Sequence, residues 1–265
     1  MSEIKVVVNG IFGKMGQEVL NAVCSESNLV PIGGADYTAK QGEISLPNNS
    51  GKIPVSGSLD SLAGFENSDV VVDFTNASGA LSAIKTCCSY GKSIVVGSTG
   101  MTEKDIKEIK NLAYTNKIGI FIAPNFAIGM AVMMHLTKVA SRFFKYADLT
   151  ETHHEAKIDS PSGTAVAIAQ AAISGKSDSF ESNIPEKNTI AGTRGGLHKG
   201  INIHSSRMPG RVAHHEIVFG ELGQTLSIRH DSINRQSFMP GVVMAINHVH
   251  KNPGLTIGLE NILGI

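Results

Sequence analysis

Apolar runs alternate with amphipathic segments along the first half of the chain. The apolar runs, typical of strands buried on both faces, cover 4–9, 29–35, 69–75, 93–97 and 118–123. Segments with the helical spacing of apolar residues lie between them, at 16–27, 77–91 and 102–116. A polar, glycine-bearing loop is predicted at 37–52, followed by a short strand at 54–57 and a helix at 58–65. Strands that alternate with helices predict a doubly wound parallel sheet.

The pattern changes after residue 126. A long apolar helix is predicted at 129–144, a strand at 148–154 and an alanine-rich helix at 164–174. A polar loop at 175–200 precedes runs that predict antiparallel strands, at 201–208, 212–220 and 224–232. A helix at 237–252 and a short tail close the chain. Successive strands after the alternating half predict a second domain of different architecture.

The composition excludes several classes of protein. Lysine plus arginine and aspartate plus glutamate number 23 each, which argues against nucleic-acid binding through bulk charge. The chain has an odd number of cysteines, namely Cys24, Cys87 and Cys88, and none of them has metal-ligand spacing with a histidine. This pattern indicates a reduced cytoplasmic chain. The first residues lead directly into a strand without a signal peptide, and no apolar run approaches the ~20 residues of a membrane span. We expect a cytoplasmic protein with no nucleic-acid or membrane partner.

A glycine turn joins the first predicted strand to the first helix. Gly10, Gly13 and Gly16 form the pattern G-x-x-G-x-x-G, whereas the dinucleotide fingerprint is G-x-G-x-x-G. Glycine lets the backbone bend tightly and approach a pyrophosphate, and the helix that follows directs its N–H groups at the phosphates. The order of strand, glycine turn and helix favours a Rossmann-like domain. A plain turn between strand and helix is the alternative.

Asp36 follows the second predicted strand, about 20 residues after the glycine turn. An acid at this place hydrogen-bonds the adenosine ribose hydroxyls, which points to NAD. Lys14 and Lys40 are candidates to sit near a 2′-phosphate, so use of NADP stays open. An ordinary turn residue is the alternative interpretation of Asp36.

Further turns follow the later predicted strands, at 74–75, 97–99 and 123–126. Ligands on a doubly wound sheet bind at the carboxyl ends of the strands. We therefore expect contacts with the nicotinamide side of a dinucleotide in these turns. Each turn is a weak signal by itself, because glycine, serine and threonine are common in such turns for local reasons.

The densest group of chemically active residues is the stretch HHEAKIDSPSGT, residues 153–164. His153 and His154 end a predicted strand, and an imidazole titrates near neutrality. Lys157 adds a cation, and Ser162 precedes a helix whose N-terminal N–H groups attract an anion. These groups predict a site that holds one or two carboxylates and delivers a proton after a hydride transfer. A solvated loop between two elements is the alternative.

The other histidine pairs do not predict a metal site. HHEAK differs from H-E-x-x-H, there is no cysteine partner, and neighbouring residues of a strand point to opposite faces. We expect a structural role for His214 and His215. His248 and His250 lie near a helix end, where cations suit the dipole. We therefore expect no metal.

Motifs along the whole chain resemble the 4-hydroxy-tetrahydrodipicolinate (dihydrodipicolinate) reductase family. HHEAKIDSPSGTA is close to the family signature, and GIFGKMG, DFT, GSTG and APNFAIGM resemble its amino-terminal turns and domain junction. SSRMPGRVAHHEIVFG and QSFMPGV resemble its carboxyl-terminal half. The resemblance implies a dinucleotide-binding domain at 1–126, completed by 237–265. It also implies an α+β domain with a mixed open sheet at 127–236, which binds substrate and forms a homotetramer.

The resemblance also implies the reaction and the site. Tetrahydrodipicolinate forms from the 4-hydroxy compound by loss of water and addition of a hydride from NADH or NADPH, in lysine and diaminopimelate biosynthesis. His153 and Lys157 would handle protons. The substrate, a small heterocyclic dicarboxylate, would contact His154, Ser162, Gly163 and Thr164. The nucleotide would contact Gly10, Ile11, Phe12, Gly13, Lys14, Met15, Asp36, Gly97, Ser98, Thr99, Ala123, Pro124, Asn125 and Phe126.

The chain departs from the family pattern beside the ribose-binding acid. Some members carry a basic residue after the acid, whereas Tyr37 follows Asp36 here, which favours NADH or dual use. Two other classes remain as alternatives. Another two-domain NAD(P)-dependent oxidoreductase would leave the carboxylate cradle unexplained, and a non-catalytic NAD(P)-binding sensor would be expected to lack the proton donors His153 and Lys157.

Overall fold

A computed structural model describes residues 3–183 and 187–265. The chain forms two compact units. Unit 1 comprises Met1–Ile128 and Arg235–Gly264, and unit 2 comprises Gly129–Asn234 with Ile265. Within the described parts of the chain, no helix is long and apolar enough to cross a membrane.

Unit 1 is built on an eight-stranded sheet in the order β13-β7-β6-β5-β1-β2-β4-β3. All neighbouring strands are parallel except β3, which pairs antiparallel with β4. The strands are β1 Ile4–Asn9, β2 Leu29–Ala35, β3 Gly42–Ser45, β4 Lys52–Ser56, β5 Val70–Asp73, β6 Ser93–Val96, β7 Gly119–Ile122 and β13 Gly254–Ile257. This arrangement confirms the predicted Rossmann-like parallel sheet.

Helices cover the sheet of unit 1 because their apolar faces need burial. They are α1 Lys14–Ser25, α2 Ala77–Tyr90, α3 Glu103–Asn116 and α6 Met239–Lys251, while the short helix α7 Glu260–Leu263 contacts α6 and has no buried residue. Asn76 caps α2 by accepting a hydrogen bond from the backbone N–H of Gly79. Thr102 caps α3 in a capping box with Asp105, so local sequence fixes both helix starts.

Three local predictions in unit 1 are wrong. The loop predicted at 37–52 contains β3 and a 3-10 turn at Pro47–Asn49. The helix predicted at 58–65 is a series of turns, because Gly64 adopts a left-handed conformation (φ 79°) before the 3-10 turn Phe65–Asn67. The closing tail contributes β13, which extends the sheet beside β7.

Unit 2 contains a five-stranded sheet in the order β12-β11-β8-β10-β9, with helices α4 Ile128–Ala140 and α5 Gly163–Ser174. The strands are β8 Tyr146–His153, β9 Gly196–His198, β10 Ile201–Arg207, β11 Ala213–Glu221 and β12 Gln224–Ser232. The antiparallel prediction is correct for β11 and β12, whereas β10 pairs antiparallel with β9 but in parallel with β8. The loop predicted at 175–200 contains β9, and its residues 184–186 lie outside the described residues.

Candidate active site

The glycine turn of unit 1 brings the backbone of α1 close to the end of β1. Gly10 has φ +81°, and a Cβ at Gly16 would lie 2.1 Å from the Gly10 carbonyl oxygen. Gly13 is the N-cap of α1 and has no side chain that could cap the helix. The first N–H groups of α1 therefore receive no hydrogen bond from this residue's side chain. The turn therefore has the close packing and helix N-terminus that a pyrophosphate requires.

The other predicted residues of this turn differ in exposure. Ile11 is buried and Met15 half-buried, while Phe12 and Lys14 are exposed. The Phe12 N–H donates to Asp36 Oδ2 at 3.2 Å. The structure therefore links the glycine turn to the acid at the end of β2.

Asp36 is largely buried, and Thr38 holds its second oxygen. The Thr38 N–H and hydroxyl donate to Asp36 Oδ1 at 3.0 and 2.7 Å. Burial by itself would raise the pKa of Asp36, but the hydrogen bonds from Thr38 and Phe12 outweigh burial and lower it. Asp36 is therefore a fixed carboxylate at neutral pH, oriented at the end of its strand.

A cleft of about 480 Å³ lies along these residues in unit 1. Its lining includes Gly10, Gly13, Asp36, Asp60 and Thr75. The described residues that line the cleft include two carboxylates, Asp36 and Asp60, and no lysine or arginine. The cleft therefore presents carboxylates and no lysine or arginine side chain to a bound molecule.

Asp73, at the end of β5, was not singled out by the sequence analysis. It accepts hydrogen bonds from Asn9 Nδ2 at 2.6 Å, from the Ser98 hydroxyl at 2.9 Å and from the Thr75 hydroxyl at 3.0 Å. Burial raises the pKa of Asp73 despite these donors. The sequence feature that could have identified Asp73 is the acid in the motif DFT, since a buried acid at a strand end needs hydrogen-bond partners from neighbouring turns.

The turns after β5, β6 and β7 meet at one edge of the unit 1 sheet. A Cβ at Gly97 would lie 2.1 Å from the Phe74 ring, and the rings of Phe74 and Phe126 are 5.5 Å apart. Asn125 Oδ1 accepts from the Ala127 N–H at 2.8 Å. Of the predicted nucleotide contacts, Ser98, Ala123 and Phe126 are buried, Gly97 and Asn125 half-buried, and Thr99 and Pro124 exposed.

In unit 2 the two adjacent histidines have different environments. His153, the last residue of β8, is buried, whereas His154 is exposed. His153 Nδ1 forms a hydrogen bond with Glu151 Oε2, because alternate residues of a strand share a face. Burial lowers the pKa of His153, and the interaction with Glu151 opposes that decrease.

Two neighbouring strands complete the cluster around Glu151. Arg207 of β10 donates through Nη2 to Glu151 Oε1 at 2.8 Å. His215 of β11 lies directly opposite Glu151, and its ring is 5.2 Å from that of His153. Burial, together with the charge of His153, lowers the pKa of His215 to about 4. Glu151 and Arg207 were not predicted as site residues from the sequence, and His215 was predicted to be structural.

The start of α5 is anchored to the same cluster. The Ser162 hydroxyl accepts from the Ala165 N–H at 3.1 Å and lies 3.3 Å from His215 Nε2. The Ser162 N–H donates to Glu151 Oε1 at 3.3 Å. Gly163 is exposed and Thr164 half-buried, so the first turn of α5 is accessible beside the cluster.

Lys157 and Asp159 lie on the loop between β8 and α5. Lys157 Nζ forms an ion pair with Asp159 Oδ1 at 2.7 Å. The hydrogen bond from Lys157 is the main cause that lowers the pKa of Asp159, and the Gly163 N–H contributes as a further donor. A carboxylate that precedes α5 is thus paired with a lysine.

Glu151, His153 and His215 offer ligand atoms within 4.8 Å of one another, a spacing that suits a metal ion. However, Glu151 already accepts from Arg207 and from the Ser162 N–H, and the guanidinium places a positive charge beside the carboxylate. These contacts favour a hydrogen-bonded network over a metal centre. The expectation of no metal stays a prediction.

Comparison with known proteins gives concordant matches over both units. Family models described as dihydrodipicolinate reductase N-terminus and C-terminus match residues 4–126 and 129–263. A 4-hydroxy-tetrahydrodipicolinate reductase of Dehalococcoides mccartyi is 46% identical over 99% of both chains. One of Desulfitobacterium hafniense is 39% identical over 99% of this chain and 100% of its own length.

Solved structures agree with these matches. Dipicolinate-bound dihydrodipicolinate reductase from Paenisporosarcina sp. TG-14 superimposes with a TM-score of 0.87 and 38% identity, covering 98% of this chain and 99% of the other. An amine dehydrogenase from Mycobacterium smegmatis, 13% identical with a TM-score of 0.65 and coverage of 96% and 95%, shares the fold alone. The chain belongs to the dihydrodipicolinate reductase family, an oxidoreductase family.

Proposed function

We propose that this protein catalyses the NAD(P)H-dependent reduction of 4-hydroxy-tetrahydrodipicolinate to tetrahydrodipicolinate, with loss of water, in the cytoplasmic synthesis of lysine and diaminopimelate. The observation that carries this proposal is the carboxylate held at the start of α5. Asp159 there pairs with the ammonium group of Lys157, the kind of contact that a substrate carboxylate needs. Membership of the reductase family supports the same substrate class.

The proposed roles divide between the two units. In unit 1, the glycine turn and Asp36 would hold the dinucleotide, whose reduced nicotinamide supplies the hydride. In unit 2, His154 and the residues Ser162, Gly163 and Thr164 would bind the dicarboxylate. Addition of a hydride to the unsaturated substrate leaves a negative charge, which a proton from Lys157 or His153 would quench. The reaction would need no metal.

An assay with substrate generated in situ tests this function. NADH and NADPH oxidation would be followed in parallel while a synthase forms the 4-hydroxy compound. Turnover that requires the complete mixture is expected with at least one cofactor. If neither cofactor is oxidised by the folded protein, the proposed function is wrong.

The acidic cleft supports NADH as the preferred cofactor. Asp36 and Asp60 line it, and a 2′-phosphate near either carboxylate would meet like charge. Lys14 and Lys40 are exposed and outside the residues that line the cleft. Dual use would then rest on these exposed surface lysines, whose ion pairs contribute little to binding in water.

The Asp36→Ala variant should weaken NADH binding by about ten- to a hundredfold, because a charge-assisted hydrogen bond to the ribose is worth roughly 1.5–3 kcal/mol. NADPH binding should change less or improve, since the repulsion of the 2′-phosphate is relieved. Isothermal titration calorimetry with both cofactors measures the two dissociation constants. Equal weakening of both would exclude Asp36 from ribose recognition.

A homotetramer formed through unit 2 is also proposed. Strand β12 lies at the edge of its sheet with mostly exposed side chains, an arrangement that natural proteins usually cover. Val132, Leu136 and Val139 form an exposed apolar stripe along α4, and Phe143 beyond it is 71% exposed. Light scattering coupled to size exclusion should give four times the chain mass of 28.0 kDa. A monomer mass at micromolar concentration would contradict this assembly.

A further inference from the structure

Glu151 is a fully buried carboxylate with partners on both oxygens. Its side chain is 0% exposed. Oε2 is bound to His153 Nδ1, while Oε1 accepts from Arg207 Nη2 at 2.8 Å and from the Ser162 N–H at 3.3 Å. A single side chain therefore contacts the imidazole assigned to proton handling and the residue that opens the substrate-binding helix.

The charge of Glu151 determines which nitrogen of His153 carries a hydrogen. Burial would raise the pKa of Glu151, but donors from Arg207, Ser205 and His153 outweigh burial and lower it. An ionised carboxylate only accepts hydrogen bonds, so His153 must donate through Nδ1–H. Nε2 is then the nitrogen that gains and loses a proton.

The remaining charged groups near His153 do not take over this role. Burial lowers the pKa of His215 to about 4, so its ring is neutral at neutral pH. Lys157 and Arg207 act on His153 only as positive charges that oppose its protonation. Asp159 pairs with Lys157, and its backbone oxygen accepts from Arg207 at 2.6 Å. Glu151 is thus the carboxylate bonded directly to the His153 ring.

We propose that Glu151 is a positioning residue that fixes the Nδ1–H tautomer of His153 and, through the Ser162 N–H, the place of the substrate-binding helix start. The proposal rests on the proposed function, in which His153 handles protons and α5 binds the substrate. It extends that function by assigning one buried group to the alignment of both. Orientation of an imidazole by a buried carboxylate is a known way to support proton transfer.

The Glu151→Gln variant tests the tautomer directly. Its amide oxygen would face the donors Arg207 and Ser162, so its NH₂ group would face His153 and donate to Nδ1. Neutral His153 would then carry its hydrogen on Nε2. Histidine ¹⁵N NMR shifts, assigned with a His153→Gln sample, distinguish the two tautomers. We expect Nδ1–H in the wild type and Nε2–H in the variant.

The same variant should lower kcat by about a hundredfold or more, because the proton-transferring nitrogen is blocked. KM should change much less, since the amide oxygen still accepts from the Ser162 N–H. Glu216→Gln is the matched control, because Glu216 adjoins His215 on β11 and points to the opposite face of the sheet. The control should retain the wild-type tautomer and kcat.

Several outcomes would overturn the proposal. One is a wild-type His153 that carries its hydrogen on Nε2 when neutral, a measurement that stands even if Glu151→Gln does not fold. Another is a folded Glu151→Gln protein with unchanged tautomer and kcat. A wild type without reductase turnover would instead refute the proposed function, whereas its NMR spectrum would still decide whether Glu151 orients His153.

Discussion

The Lys157→Ala variant should lower kcat by about a hundred- to ten-thousandfold, the range typical for loss of a positioned acid or base. The variant should also raise KM, because Lys157 is the ammonium group that holds a carboxylate in the structure, that of Asp159. NADH affinity should stay within about twofold of the wild type, since the proposed nucleotide contacts lie in unit 1. Steady-state kinetics and NADH titration measure these quantities separately.

The Lys157→Arg variant separates proton delivery from carboxylate binding. Arginine keeps the charge and pairs with carboxylates, but it does not give up its proton near neutrality. KM should therefore recover toward the wild-type value, whereas kcat should stay low. Recovery of both would assign the proton to His153 and leave Lys157 as a binding residue. Lys138→Ala, at an exposed position on α4, is the control and should behave as the wild type.

The nucleotide half was predictable because its signals are local. The strands β1, β2, β5, β6 and β7 of unit 1 are apolar runs, and each ends in a turn whose residues follow directly in the chain. The wrong helix prediction at 58–65 shows the limit of predicting a helix from the spacing of apolar residues. Leu59, Leu62 and Phe65 are all buried and are spaced as in a helix, but turns interrupted at Gly64 bring them into the core.

A carboxylate cradle in the stretch 153–164 stays a prediction, whereas the network around Glu151 was not predicted from the sequence. Arg207 and Glu151 are 56 residues apart in the chain and meet because β10 runs parallel to β8. His215 comes from β11, on the other side of β8. Pairing between distant strands depends on register and tertiary packing, which a single sequence pattern does not specify. The positions of Glu151 and His153, two residues apart on one strand, were the local sequence feature that could have indicated this network.

The Gly16→Ala variant should both destabilise unit 1 and weaken NADH binding. Alanine favours helices over glycine by roughly 0.8–1.0 kcal/mol, which by itself would stabilise α1. The added Cβ, however, would lie 2.1 Å from the Gly10 carbonyl oxygen and 2.9 Å from Ile11 Cα. Backbone atoms cannot rotate away from this clash, so α1 must shift, at a cost of about 1–3 kcal/mol. The steric effect therefore outweighs helix propensity.

The shift of α1 also determines the loss of cofactor affinity. A displacement of the helix start moves the N–H groups away from the pyrophosphate, and we expect the NADH dissociation constant to rise by at least about tenfold, or ~1.4 kcal/mol. Urea unfolding and the fluorescence of bound NADH measure stability and affinity. Gly42→Ala is the matched control, because the nearest atom to its Cβ is 3.9 Å away. If Gly16→Ala keeps wild-type stability and affinity, the close approach of α1 to the glycine turn is not needed for nucleotide binding.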